Sequence, residues 1–338
     1  MKNKVQQNIN YEIMRISLTV LGFVFLLTAC DKNDESITPP TNHEEKVIVK
    51  VDSTYNINLV ENITYAEALK HDDWNSSTTT VIPLKLDAYI PENSLLKRPA
   101  FVLIHGGGLD FGSRTDPNMV AMANYFASRG WVVFSLDYRL KNDKGTVPAS
   151  WKLSTSNDDV LKVYPANRDV KAAIRWLYAH SENYNIDTDF ITVGGGSAGA
   201  FLSVSLGVSD AADYTSEISI TDDPTLSTTN IIQPVKVQTI IDFWGGDAHI
   251  QYLELISGIQ RFDSNDAPIL IAHGTNDNVV DFSAAETLES KYQATGVNYE
   301  FYPLQGFGHS AWGATVNGKS LSDLAFEFIT LEQEITVE

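Results

Sequence analysis

Apolar runs at residues 100–104, 131–136, 190–193, 235–243 and 268–273, with a more mixed one at 298–303, divide the chain. Runs without polar alternation predict strands buried on both faces, as in a parallel sheet. Between them, apolar positions recur at helical spacing over residues 117–128, 167–180, 197–208, 283–295 and 320–331. Residues 47–51 and 81–90 predict early strands, antiparallel and at the sheet edge. Strand–helix alternation implies right-handed crossovers and an α/β class: a mostly parallel, doubly wound sheet flanked by helices. Residues 46–335 read as one such domain, with the Thr-, Asp- and Ser-rich stretch 211–234 as a small cap or loop insertion. Ligands in these sheets bind beyond the carboxyl ends of the strands, so the residues that end each run deserve the closest reading.

The run at 190–193 leads into Gly195-Gly196-Ser197-Ala198-Gly199. G-x-S-x-G at a strand–helix turn lifts a serine hydroxyl clear of the sheet, and the glycines make room for the sharp bend. The run at 100–104 leads into His105-Gly106-Gly107-Gly108. Residues without side chains let backbone amides close on a ligand, as an oxyanion hole requires. The donors expected are the amides of Gly107, Gly108 and Ala198. The run at 268–273 ends near Asp277, the expected acid, and His309 follows the last strand in a glycine-flanked loop, as the expected base. Of seven histidines, only His309 stands at a strand end after the acid; His273 reads as a brace and His249 as part of a cap or loop. The order Ser197, Asp277, His309 is the nucleophile–acid–base order of one hydrolase fold among several.

With these motifs the chain resembles the α/β-hydrolase superfamily, and within it the carboxylesterases bearing HGGG: hormone-sensitive-lipase-like esterases and bacterial feruloyl- and acetyl-esterase-like enzymes. Asp137-Tyr138-Arg139-Leu140 after a strand, and the helix over residues 167–177, extend the likeness across roughly residues 80–330. The resemblance implies a serine carboxylic-ester hydrolase with Ser197, Asp277 and His309 as triad and no cofactor or metal. It would remove acetyl, feruloyl or other short acyl groups from small-molecule or glycan-linked esters. Gly196 stands where many lipase-like relatives carry Asp, and a polar insertion separates Leu140 from Tyr164. Phe111, Trp151, Phe243, Trp244 and Trp312 are candidates for the substrate cleft, since aromatic faces suit sugar rings and phenolic acyl groups. Two alternatives stand beside this reading: a prolyl-oligopeptidase-like serine peptidase, and a non-catalytic glycan-binding lipoprotein on a hydrolase fold.

The first residues change the expected setting. Lys2, Lys4 and Arg15 precede an apolar stretch at 16–29 that is short for a membrane span, and it ends in Leu27-Thr28-Ala29-Cys30. This resembles a lipoprotein signal at 1–29, with Cys30, the single cysteine, as the lipidated residue and 30–45 as a flexible tether. The expected location is the cell envelope, at the outer membrane or surface of a Gram-negative bacterium. A formal charge of −19 argues against nucleic acid as a partner. Oligomeric state is left open by the sequence.

Overall fold

The computed structural model describes residues 46–154 and 157–338. The expected leader and tether, with Cys30, lie outside these residues. Eight strands form the main sheet: β1 (Ile57–His71), β2 (Thr79–Pro91), β3 (Arg98–Ile104), β4 (Val132–Leu136), β5 (Ile186–Gly196), β6 (Thr239–Phe243), β7 (Ile269–Gly274) and β8 (Tyr299–Leu304). Their spatial order is 1-2-4-3-5-6-7-8. Antiparallel pairing joins β1 to β2 and β2 to β4; every pairing from β4 through β8 is parallel. This is the mostly parallel sheet that the apolar runs predicted. β3, β4 and β6 are buried along their whole length, which explains why their sequences show no alternation.

Six longer helices flank it: α1 (Pro117–Ala127), α2 (Val163–His180), α3 (Ala198–Val208), α4 (Ala248–Ser257), α5 (Ser283–Thr295) and α6 (Leu321–Glu332). On one face of the sheet, Ile174, Leu202, Ile250 and Leu288 from α2 to α5 pack on Val102, Val193, Ile240 and Ile271. On the other, Met119 and Phe126 of α1 and Leu324 and Phe328 of α6 pack on Phe101, Val133, Ile241 and Leu270. The side of the sheet to which a residue points therefore follows the period of two along each strand.

Two expectations at the edge need correction. Residues 47–51 are not part of the main sheet; Ile48–Val49 pairs in parallel with Thr336–Val337 as a separate two-stranded ribbon. The true edge strand, β1, went unread. Register shifts between Val60 and Ile63 and between Thr64 and Ala66 break its alternation, and its first half is largely exposed. Helix α4 was likewise missed. The stretch 211–234 contains a short 3-10 helix, Pro224–Thr228, and is firmly tied down. Arg168 pairs with Asp223 at 2.9 Å and Arg261 with Asp213 at 2.7 Å, while Lys171 donates to the carbonyls of Asp210 and Asp213 at 2.6 and 2.9 Å.

Two buried carboxylates carry opposite lessons. Asp169 of α2 accepts from the Arg139 backbone amide at 2.8 Å and from its guanidinium at 2.7 Å, and Arg139 also reaches the carbonyl of Leu69 on β1 at 3.1 Å. Both charges are almost wholly buried, so Asp169→Ala leaves the guanidinium uncompensated. We expect a loss of ~3–5 kcal/mol in chemical denaturation; a change below about 1 kcal/mol would contradict the pairing. Asp242 of β6 is wholly buried, with Oδ1 accepting from Gly245 at 2.8 Å and Oδ2 unpartnered among the described residues. Burial pushes its carboxyl up to about 7, against the pull of the Gly245 amide and with a further push from Asp247. An acid whose pKa rises on folding loses stability as pH climbs from its unfolded value to its folded one. Asp242→Asn should therefore gain stability relative to the parent, by on the order of 2 kcal/mol more at pH 8 than at pH 5. A constant difference across that range would refute the assignment.

Candidate active site

Ser197 sits between β5 and α3 with φ 55° and ψ −121°, a conformation that side-chain-bearing residues seldom adopt. Its neighbours show why only glycine fits. A Cβ on Gly195 would come within 2.1 Å of the Ile104 carbonyl oxygen, and one on Gly199 within 1.9 Å. On Gly196 it would press the indoles of Trp244 and Trp312, each at 2.9 Å. The amide of Ser197 donates to the Phe243 carbonyl at 2.9 Å, and its own carbonyl accepts from Phe201 at 3.1 Å. These bonds hold the bend open and present the hydroxyl at the carboxyl edge of the sheet.

The structure brings the three sequence-predicted partners together. His309 Nε2 lies 3.0 Å from Ser197 Oγ, and His309 Nδ1 lies 2.7 Å from Asp277 Oδ2. A carboxylate beside Nδ1 places the ring proton there and leaves the Nε2 lone pair facing the serine. Burial pushes Asp277 up, but the bond from His309 and the amides of Val279 and Val280 outweigh it. Its carboxyl is held below the usual range. Those two amides donate to Oδ1 at 2.8 and 3.0 Å. His273 is a brace: its Nε2 lies 2.9 Å from the Val280 carbonyl and 3.3 Å from Asp277, and burial keeps the ring neutral. The acid turn and the base loop are laced together, the Asn276 amide donating to the Phe307 carbonyl at 2.9 Å and the Gly306 amide to Thr275 Oγ1 at 2.9 Å.

The glycine loop after β3 closes on the same spot. A Cβ on Gly106 would stand 3.5 Å from that of Ser197, and one on Gly107 would collide with the Phe111 carbonyl at 2.0 Å. Gly107 and Gly108 have φ of 106° and 63°. Their amides, and that of Ala198 at the open first turn of α3, donate to no other group among the described residues. Three unpaired donors beside one hydroxyl are what a developing oxyanion requires. His105 supports the loop from below. Its Nδ1 donates to the Gly106 carbonyl at 2.7 Å, and its ring stacks on Tyr138 with centroids 4.3 Å apart.

The aromatic candidates divide. Phe111, 70% exposed, stands at the mouth. Trp312 is half-buried beside the base loop. Phe243 and Trp244 are buried and form a floor: Trp244 meets Trp312 edge-on at 4.8 Å and lies 6.4 Å from His309 between ring centroids. Trp151 does not line the cleft; it is 1% exposed in a core cluster with Tyr164 and Tyr214. The sequence reading missed Phe201, four residues past Ser197 and therefore on the same helical face. It also missed Lys162, which bridges Asp110 of the glycine loop at 3.0 Å and Asp159 at 2.9 Å. Helical spacing would have found the first; no local signal marks the second.

Residues 86–248 match the BD-FAE family model. The chain is similar to esterase LipC of Mycobacterium tuberculosis, 26% identical over 240 residues, covering 62% of this chain and 52% of that one. It is also similar to carboxylesterase 1C of Rattus norvegicus, 30% identical over 152 residues, covering 44% of this chain and 25% of that one. The chain thus spans about half the length of the first of these curated relatives and a quarter of the second. Among solved structures, Thermogutta terrifontis esterase 2 phosphorylated by paraoxon superposes with a TM-score of 0.56 at 24% identity, covering 79% of this chain and 94% of that one. Strand order, elbow and structural likeness agree on the α/β-hydrolase fold, and residues 86–248 carry the match to the BD-FAE family.

Proposed function

We propose that this chain is a serine carboxylic-ester hydrolase, and the observation that carries the reading is the hydrogen-bonded line Ser197–His309–Asp277 at 3.0 and 2.7 Å. His309 takes the hydroxyl proton as Ser197 Oγ attacks the ester carbonyl. The amides of Gly107, Gly108 and Ala198 stabilise the tetrahedral oxyanion. His309 then gives the proton to the departing alcohol, leaving an acyl-enzyme. Water repeats the two transfers, regenerating the serine and releasing the acid. Asp277 stays ionised throughout and stabilises the imidazolium formed at each step.

The substrate reading is an acetyl or other short acyl ester of a small molecule or carbohydrate. Trp244 and Trp312 close on Gly196 beside the nucleophile, which leaves room for a small acyl group better than for a long chain. The esterase names of the relatives support the reaction class. Phe111 at the mouth offers a face to a sugar or phenolic ring.

Hydrolysis of aryl acetate, aryl octanoate, methyl ferulate and acetylated xylan tests this directly. Ser197→Ala should lower kcat on the best substrate by about 10⁴-fold or more with little change in the folded structure. Retention of the parent rate in that variant would sink the assignment. We also propose a lipid anchor at Cys30, supported by the apolar leader and the small residues before it. Labelled palmitate should enter the full chain in a Gram-negative host and not its Cys30→Ser variant; equal labelling would remove the anchor.

A further inference from the structure

His249 belongs to none of the machinery above, yet its environment is built with care. It follows β6 at the start of α4, next to the strand that carries Ser197, and it is 6% exposed. Asn167 fixes its tautomer. The Asn167 Nδ2 donates to the Val163 carbonyl at 2.8 Å, which settles the orientation of the amide, and the same nitrogen faces His249 Nδ1 at 3.3 Å. Nδ1 is therefore the acceptor, and the ring proton resides on Nε2. Burial, with Lys162 nearby, lowers His249 to about 3, so the imidazole stays neutral and keeps that single donor.

Two contacts hold the ring and a third holds its backbone. Tyr214 Oη donates to the His249 carbonyl at 3.1 Å, Asn167 holds one edge, and Phe201 lies against the face with centroids 5.5 Å apart. Phe201 is one helical turn beyond Ser197 and half-buried, so the His249 ring packs against the helix that opens at the nucleophile. Nε2 has no partner among the described residues and keeps contact with solvent, unlike the buried unpaired Oδ1 of Asn167. A nine-tenths buried imidazole thus carries one fixed, unpaired N–H against Phe201, a helical turn from Ser197.

Resting on the esterase reading, we infer that His249 determines specificity by donating its Nε2–H to an oxygen of the substrate outside the ester bond. A site built to meet a substrate oxygen discriminates against analogues lacking one, because its buried donor is then left unpaired. The acceptor belongs to a hydroxyl, ether or methoxy group, carried by the alcohol half or by the acyl half. Substrates that place oxygen in only one half separate the two.

The full chain and its His249→Phe and His249→Gln variants should be compared on aryl acetate, methyl ferulate and an acetylated xylo-oligosaccharide. Active sites are titrated with a fluorophosphonate so that only folded enzyme is counted. In His249→Phe, the kcat/KM for an oxygen-bearing ester relative to aryl acetate should fall about tenfold, carried by KM. His249→Gln, which retains an N–H donor, should restore most of it. A fall confined to the xylo-oligosaccharide places the acceptor on the alcohol, and one confined to ferulate places it on the acyl group. Unchanged ratios for both esters, or an equal fall on all three in both variants, would overturn the inference while leaving the esterase reading intact. Absence of any Ser197-dependent hydrolysis in the parent chain would overturn both.

Discussion

The carbonyl oxygen of Ile104 sets the spacing on which the site depends. It ends β3 at the middle of the sheet, and the bend after β5 lies so close that Gly195 and Gly199 have no room for a methyl group. The same strand end runs on into the glycine loop. The hydroxyl of Ser197 and the unpaired amides of Gly107 and Gly108 are therefore positioned by one backbone-to-backbone contact rather than by side chains, which have more freedom to adjust. The left-handed conformation of Ser197 costs about 1–3 kcal/mol in isolation. It persists because strand pairing on both sides of β5 and the packing of α3 leave the chain no alternative path.

The histidine and its acid are held by a different device. They sit after β7 and β8, farther along the sheet, and the two loops are bonded to each other before either meets the serine. Beneath them lies the edge-on stack of Phe243, Trp244 and Trp312. Rigid aromatic packing supports the imidazole, whose nitrogens bond to Asp277 and Ser197 and to neither indole. The site is thus two preassembled halves, one of glycine backbone and one of laced loops on an aromatic floor. They meet at the bond between His309 and Ser197, where Trp244 and Trp312 also close on Gly196.

This division explains what the sequence disclosed. Glycines at 106–108, 195, 196 and 199 are demanded by local geometry, so the motifs that contain them stand out in a single chain. The central strands were equally legible, because burial on both faces leaves few polar residues in β3, β4 and β6 and no alternation, Asp242 notwithstanding. β1 was not, since its bulges break the alternation and its exposed half tolerates polar residues. The aromatic candidates mark another limit. Trp151 and Trp312 look alike as isolated residues after polar stretches, and only the fold sends one to the core and the other to the site. His249 was invisible for a related reason: its role depends on Asn167 and Phe201, brought to it from two other helices.

Charge rather than apolar area organises the region that borders the cleft. In a chain of net charge −19, seven lysines and arginines among the described residues are more than nine-tenths buried, and all but Arg98 (Arg139, Lys162, Arg168, Lys171, Arg175 and Arg261) belong to this region. Arg139, Arg168 and Arg261 hold Asp169, Asp223 and Asp213, and Lys171 and Arg175 hold the chain near residues 210–215. Burying such pairs gives little net stability compared with an apolar core of the same volume, because desolvation cancels most of the attraction. Their geometry is nevertheless demanding, and each pair admits one arrangement of the loop it holds. That arrangement reaches the site through two links, the Lys162 bridge to Asp110 and the Tyr214 bond to the carbonyl of His249. Ser197 is fixed by the sheet, whereas the glycine loop and the surroundings of His249 are held from the insertions as well. The hydroxyl of Ser197 and the wall proposed to set selectivity thus rest on different structural elements, joined at Asp110.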